Sequence, residues 1–323
     1  MNILITGGTG LVGTRLTELL TEQGHSVWHL SRKAQQRGNV KTFVWDIDKG
    51  IIDEEALRRA DYIIHLAGAG IADERWTPER KKEIIDSRTK SMALIAQKLQ
   101  MIPHKIQGFA SASGIGFYGA DTGSVIITEE SQAGKDFVAE CCILWEKAAD
   151  QIANLGIRTT KLRIGIVLAE KGGALPKMAL PTKFGFGAPL GSGEQILSWI
   201  HIDDLCRLFI HALFTPTVKG VFNAVADNPI NNRTFNQILA SVLNRPLWLP
   251  NVPSFVLKII FGEMASIILG GNKVLNNKRR NQWYRNFQLF KGINSEEYCI
   301  DHLLELDTYI AGKTPATIIT IIK

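Results

Sequence analysis

The chain has 323 residues, 45% hydrophobic and 21% charged, which suits a soluble globular protein of one large α/β domain or a core domain with a smaller one attached. A formal charge of +6 raises the question of nucleic acid or membrane, but the one dense basic block, Lys278-Arg279-Arg280 with Trp283 nearby, is too little for either. Cys141, Cys142, Cys206 and Cys299 lack metal-ligand spacing and point to a reducing compartment, and Val252 to Gly270, interrupted by Lys258 and Glu263, reads as a buried or amphipathic helix rather than a membrane span.

The chain opens with MNILITGGTGLVG. Asn2 to Thr6 is a β-branched, apolar run that predicts a strand, and it breaks into Gly7, Gly8, Gly10 and Gly13 before helical spacing begins at Leu16, Leu19 and Leu20 and stops at Gly24. A strand starting this early leaves no room for a leader peptide and predicts a cytoplasmic protein. In a strand–turn–helix, such glycines meet the demands of a dinucleotide pyrophosphate: a tight turn, close backbone approach, and close packing of helix on sheet. Free N–H groups at the helix start then hold the anion. Gly7, Thr9, Gly10, Leu11, Val12 and Gly13 are the candidate contacts.

His25 to Leu30 predicts a second strand, ending in Ser31-Arg32-Lys33. A carboxylate there would suit the ribose 2′-OH of NAD, whereas a serine and two cations suit a 2′-phosphate, so the cofactor expected is NADP(H). Val40 to Asp46 is a third strand, with Asp46 and Ile47 flanking the adenine. A helix over about 53–60 leads to the strand Asp61 to Leu66, and the small residues after it let the backbone of Leu66, Ala67 and Gly68 lie against the cofactor. A long helix follows from Thr77 to Gln100, with Pro78 in its first turn.

Ile106 to Ser113 is the fifth strand, and it carries Ser111, Ser113 and Tyr118 to its carboxyl end. Strands alternating with helices predict a Rossmann-type, doubly wound parallel sheet with ligands at the strand ends. A helix from Asp136 to Leu155 and a strand from Thr159 to Leu168 continue the pattern. The glycine-rich stretch Gly172 to Gly193 breaks it and reads as a substrate-side loop with short helical pieces. SWIHIDD, Ser198 to Asp204, starts another helix with Asp203 or Asp204 as cap, and Gly220 to Val225 is a further strand. Residues 1–168, with 194–228 returning, would form the nucleotide-binding domain; residues 169–193 and 229–323 would form a smaller, mostly helical substrate lobe. Trp199 and Phe184 line an apolar part of a pocket or fill a core.

TGGTGLVG (Thr6 to Gly13), HLAGAG (His65 to Gly70), SASGIGFYG (Ser111 to Gly119), LRIGIVL (Leu162 to Leu168) and SWIHIDDL (Ser198 to Leu205) occur in the order usual for the extended short-chain dehydrogenase/reductase superfamily, which the chain resembles. RWTPERKKEIIDSR, DFVAECCILWEKAA and PSFVLKIIFGEMASIILG narrow the resemblance to its epimerase-like family, often labelled sugar-nucleotide epimerase or SulA-like cell-division-inhibitor homologue. The tail after about Asn277 departs from that pattern.

The resemblance implies a Tyr-x-x-x-Lys pair on the helix after the serine strand, the tyrosine passing a proton and the lysine lowering its pKa and holding the ribose. The matching helix has Phe137 and Cys141 instead, and Ser87 stands where the superfamily has an asparagine. Tyr309-x-x-x-Lys313 has the spacing far beyond the nucleotide fold and reads as coincidence. As replacements, Ser113, or Ser111 by a one-residue ambiguity, could bind a substrate oxygen, with Ser111 otherwise a cofactor contact, and Tyr118 could act as acid, although Tyr118 equally suits a packed aromatic; Glu140 is a weaker alternative. Arg163 reads as a structural ion pair, and His201 as structural. The function expected is an NADP(H)-binding oxidoreductase or epimerase acting on a small carbonyl or hydroxyl substrate, possibly nucleotide-linked, as a monomer or homodimer without nucleic-acid, membrane or metal partners. The rival is a catalytically weak NADP(H)-binding regulator.

Overall fold

The computed structural model describes residues 1–33 and 40–277. The basic block at Lys278, Trp283, Cys299 and the Tyr309/Lys313 pair lie outside the described residues. In chain order the first elements are β1 (Asn2–Thr6), α1 (Leu11–Glu22), β2 (Ser26–Ser31), β3 (Lys41–Asp46), β4 (Ile51–Ile52), α2 (Glu54–Arg59), β5 (Tyr62–His65), α3 (Pro78–Met101), β6 (Gly108–Gly114), β7 (Gly123–Ile127), α4 (Phe137–Ala153) and β8 (Arg158–Ile164). They are followed by β9 (Ile166–Leu168), α5 (Ala174–Lys183), β10 (Ile196–Leu197), β11 (Trp199–His201), α6 (Ile202–Phe214), β12 (Gly220–Ala224), β13 (Ile230–Asn231), α7 (Asn232–Val242), α8 (Ser254–Phe261), α9 (Ser266–Leu269) and β14 (Asn272–Val274).

Among the described residues the main sheet runs β12-β8-β6-β5-β1-β2-β3-β4. Every neighbouring pair is parallel except the short β3–β4 hairpin. Parallel strands buried on both faces need continuous apolar runs, and Ile3, Leu4, Ile5, Ile63 and Ile64 are all fully buried. From β1 the chain winds outward through β2 and β3, then returns to β5 and winds the other way. The carboxyl ends of β1 and β5 therefore flank the switch point, where open α/β sheets bind ligands.

Several of the helices begin where a side chain supplies a missing acceptor. Asp53, Thr77 and Asp136 each accept a first-turn N–H, from Glu55, Arg80 and Ala139 respectively, and each such cap is worth about 1 kcal/mol. Asp203 and Asp204 do not cap α6, contrary to the sequence expectation; they lie within its first turn. One edge of the Arg15 guanidinium meets Asp203 side-on, Nε to Oδ1 at 2.6 Å and Nη2 to Oδ2 at 3.0 Å, so the ion pair clamps α1 to α6.

The strand expected over Thr159 to Leu168 is two strands. A side chain at Gly165 would lie 2.4 Å from the Ser198 carbonyl, and the next N–H, that of Ile166, donates to that same carbonyl at 2.8 Å. The chain thus leaves the main sheet at Gly165, and β9 pairs with β11 instead. The helix expected within Val252 to Gly270 is likewise broken at Gly262, whose φ of +61° is left-handed.

The chain forms two compact units. Among the described residues, the first comprises Met1–Ala120, Glu129–Ile164 and Ile202–Ala224 and contains the main sheet; the second comprises Asp121–Thr128, Gly165–His201 and 225–277. The pairings of β9 with β11 and of β7 with β14 lie within the second unit, whose exchange points with the first differ from 168, 194 and 228. In the second unit Trp199 packs with Leu168, Leu175, Phe235 and Leu239, so it is core, whereas Phe184 is 70% exposed.

Candidate functional site

The turn between β1 and α1 explains each glycine differently. Gly7 has φ +69°, and a Cβ there would sit 3.0 Å from the Ala67 nitrogen. At Gly13 a Cβ would be 2.4 Å from the Gly7 carbonyl, and at Gly8 it would enter the His29 ring. Gly10 differs: its φ of −77° suits any residue, and its Cβ would meet only the Gly7 carbonyl, at 3.3 Å. The fold itself makes little demand for glycine at this position. Gly10 is also the N-cap of α1, with no side-chain cap and no acidic residue in the first turn. The N–H groups of Leu11, Val12 and Gly13, at the positive end of a twelve-residue helix, are oriented for an anion. Thr9 is exposed beside them.

Ser31 closes β2, and Arg32 and Lys33 follow it, both exposed. Asp46 closes β3, where its carboxylate accepts the Lys49 N–H at 3.1 Å and pairs with Lys49 Nζ at 3.0 Å. Those bonds to Lys49 lower its pKa and tie it into its own turn.

The loop after β5 is fixed from two sides. Thr6 Oγ1 accepts the N–H groups of Leu66 and Ala67, both at 3.1 Å. From α3, Ser87 Oγ accepts the Ala69 N–H at 2.9 Å, Arg88 Nη1 donates to the Ala69 carbonyl at 2.9 Å, and Arg80 Nη2 donates to the Gly70 carbonyl at 2.7 Å. Gly68 is exposed over Arg88, whose guanidinium carbon would be 3.0 Å from a Cβ. In sequence Ser87 stands only as a lost asparagine, and neither Arg80 nor Arg88 is a candidate site residue there. His65, fully buried beneath this loop, shares a hydrogen bond with Ser91 at 2.9 Å, and burial with the nearby Arg88 charge pushes its pKa down to about 3. It is a neutral imidazole.

At the end of β6 the expected proton donors belong to a buried network. Ser111 Oγ donates to the Ala112 carbonyl at 2.8 Å. Ser113 Oγ donates to Glu146 Oε1 at 2.8 Å, and the same carboxylate receives Arg163 Nε at 2.7 Å and Nη2 at 2.9 Å. Arg163 Nη1 donates to the Tyr118 hydroxyl at 2.9 Å, the hydroxyl donates to Asn223 Oδ1 at 2.7 Å, and the Asn223 N–H donates to Glu129 Oε1 at 3.0 Å. Tyr118 is 4% exposed, and desolvation raises its pKa. Each hydroxyl has one proton, and both are engaged within the protein, the geometry of the packed-aromatic alternative weighed for Tyr118. Arg163 is the structural ion pair expected of it. Tyr118→Phe should therefore remove both hydrogen bonds of this hydroxyl, the one to Asn223 Oδ1 and the one from Arg163 Nη1, and destabilise the protein by about 1–3 kcal/mol. A denaturant titration measures it, and an unchanged midpoint would show that the hydroxyl does no structural work.

Phe137 and Cys141 lie on α4. Phe137 packs edge-on against Trp76 with ring centroids 4.9 Å apart, and Lys81 Nζ sits 5.0 Å from its ring centre. Cys141 and Cys142 are buried, and desolvation raises both thiol pKa values, Cys142 to about 12. Glu140 is exposed.

A family model described as "NAD dependent epimerase/dehydratase family" matches residues 3–224, the glycine turn, the loop after β5 and the β6 end included. The chain belongs to that family. A second model, a domain of unknown function named DUF1731, matches residues 252–282. Among relatives of this epimerase-like protein, the Bacillus subtilis epimerase family protein YfhF is 37% identical over 286 residues, covering 88% of this chain and 93% of its own. The chloroplastic SDR39U1 homologue of Arabidopsis thaliana is 40% identical over 287 residues, 85% of this chain and 80% of its own. Among solved structures, human epimerase family protein SDR39U1 (isoform 2) with NADPH superposes with a TM-score of 0.80 at 32% identity, covering 95% of this chain and 99% of that one. Its agreement establishes the Rossmann-like fold for the family member described here. No helix among the described residues is long and apolar enough to cross a membrane.

Proposed function

We propose that this epimerase-family chain binds NADPH across the carboxyl ends of β1, β2 and β5 and uses it in oxidoreductase or epimerase-like chemistry on a small carbonyl or hydroxyl substrate, nucleotide-linked or not. The observation that carries the reading is Gly10: a glycine that neither backbone nor packing demands, at an uncapped helix start, leaves space that a pyrophosphate would fill. The residues fit the rest of the group. Gly7 and Thr9 to Gly13 would hold the pyrophosphate, Ser31, Arg32 and Lys33 the 2′-phosphate, and the backbone of Leu66 to Gly68 the far half. Human SDR39U1, the relative crystallised with NADPH, supports the choice of dinucleotide. When bound, NADP(H) supplies the hydride; the chain's own residues orient it and exclude water.

Arg32 should discriminate the phosphorylated form. One charge-assisted hydrogen bond contributes about 1.5–3 kcal/mol, so Arg32→Ala should weaken NADPH about ten- to a hundredfold and leave NADH nearly unchanged. Titration of both cofactors against both proteins decides it, and equal NADH and NADPH affinity in the parent chain would reject the assignment.

A second reading is favoured by one observation, the engagement of the Ser113 and Tyr118 protons within the buried network. On that reading the protein is a catalytically weak NADP(H)-binding regulator. NADPH oxidation across a panel of aldehydes, quinones and nucleotide sugars separates the two: turnover on any member supports the enzyme, and binding without turnover supports the regulator.

A further inference from the structure

Arg88 is a buried cation without a counter-ion among the described residues. Its residue exposure is 9%, and no carboxylate lies within salt-bridge distance among the described residues. Its ionisable neighbours are another arginine, Arg80, and the two thiols Cys141 and Cys142, which burial keeps protonated and neutral. Nη1 donates to two neutral carbonyls, Ala69 at 2.9 Å and Ile84 at 2.8 Å; Nε is buried with no acceptor; and the guanidinium carbon lies 4.7 Å from the centre of the Trp145 ring. Arg163, the other deeply buried arginine of this sheet end, meets Glu146 with two bonds. An unpaired buried charge is costly, and a fold that only needed to pin the Ala69 carbonyl could have done so with a neutral amide.

The strand order decides which part of the cofactor the charge serves. β1 and β2 carry the pyrophosphate turn and the basic 2′-phosphate end, so the adenosine half lies on their side of the switch point. The nicotinamide half then lies on the other side, toward β5 and β6. Arg88 is joined to that side alone, through the loop after β5 and through Trp145 and the thiols of α4.

We propose that Arg88 is the fixed positive charge on the nicotinamide side of the site and that it biases binding toward the reduced cofactor, because it repels the cationic ring of NADP⁺ and not the neutral ring of NADPH. This rests on the NADPH reading above. Arg88 is a positioning residue, acting through the field it places at the ring.

The test is a set of dissociation constants for NADPH, NADP⁺ and 2′,5′-ADP, which lacks the nicotinamide half, measured by titration on the full chain and on Arg88→Gln and Arg88→Lys. Gln keeps a donor for the Ala69 carbonyl and removes the charge, whereas Lys keeps the charge. The parent chain should prefer NADPH over NADP⁺; Arg88→Gln should reduce that preference about tenfold without changing 2′,5′-ADP binding, and Arg88→Lys should retain it. Equal affinity of the parent chain for NADPH and NADP⁺ overturns the proposal, even if Arg88→Gln fails to fold. So does a loss in Arg88→Gln that is the same for all three ligands, the mark of a loop staple alone. Failure of the parent chain to bind any of the three would instead reject the cofactor reading itself.

Discussion

Gly10→Val is expected to abolish measurable NADPH binding in a protein that still folds. The backbone at this position, φ −77° and ψ 176°, is ordinary extended geometry that valine adopts readily. Its Cβ meets one carbonyl oxygen, that of Gly7 at 3.3 Å, which a shift of a few tenths of an ångström relieves. The cost to folding should be on the order of 1 kcal/mol, the scale of an altered N-cap. The branched side chain would nevertheless fill the space over the N–H groups of Leu11 to Gly13, and losing two charge-assisted bonds there amounts to at least ~3 kcal/mol, roughly a hundredfold in affinity. Gly13→Val should behave in the opposite way, because its Cβ would lie 2.4 Å from the Gly7 carbonyl and 2.6 Å from the Gly8 α-carbon, backbone that cannot yield. Circular dichroism melts and NADPH titrations on both variants separate the effects. A Gly10→Val protein that binds NADPH like its parent would show the turn to be purely structural.

Glu146→Ala should be the most destabilising single change at this end of the sheet. Glu146 is 6% exposed, and its carboxylate holds both the Arg163 guanidinium and the Ser113 hydroxyl. Truncation leaves a buried, unpaired cation, which typically costs about 3–5 kcal/mol. Arg163 cannot move readily to water, since its guanidinium carbon lies 3.4 Å from the centre of the Phe117 ring and its Nη1 is bonded to Tyr118. A fall in melting temperature on the order of 10 °C is expected. Glu146→Gln, which keeps an acceptor for one donor, should fall between the two. A thermal scan of Glu146→Ala that overlays the parent would mean the ion pair is dispensable, and the closed network around Ser113 and Tyr118 would lose its foundation.

Residue types and spacing alone carried the strand–glycine–helix opening, the alternation of strands and helices, and the starts of α2, α3 and α4 at Asp53, Thr77 and Asp136. These depend on interactions within a few residues: a cap reaches its N–H two or three positions ahead, and an apolar run declares a buried strand wherever it pairs. The basic end of β2 and the absence of a proton donor and cation at Phe137 and Cys141 were legible for the same reason. Tertiary structure decided what depended on distant partners. The break at Gly165 follows from the Ser198 carbonyl, and Asp203 is drawn from capping to ion pairing by Arg15, 188 residues away in sequence. The Tyr118 proton goes to Asn223, 105 residues on. Arg80 and Arg88 fall on the same face of α3 as Ile84, Ile95 and Leu99, so a cation on an apolar stripe was the one local signal of the loop they hold. Only the packing of α3 against the loop after β5 and against Trp145 shows that Arg88 is buried with no counter-ion among the described residues, because burial of a charge is set by what surrounds it in space and not by its neighbours along the chain.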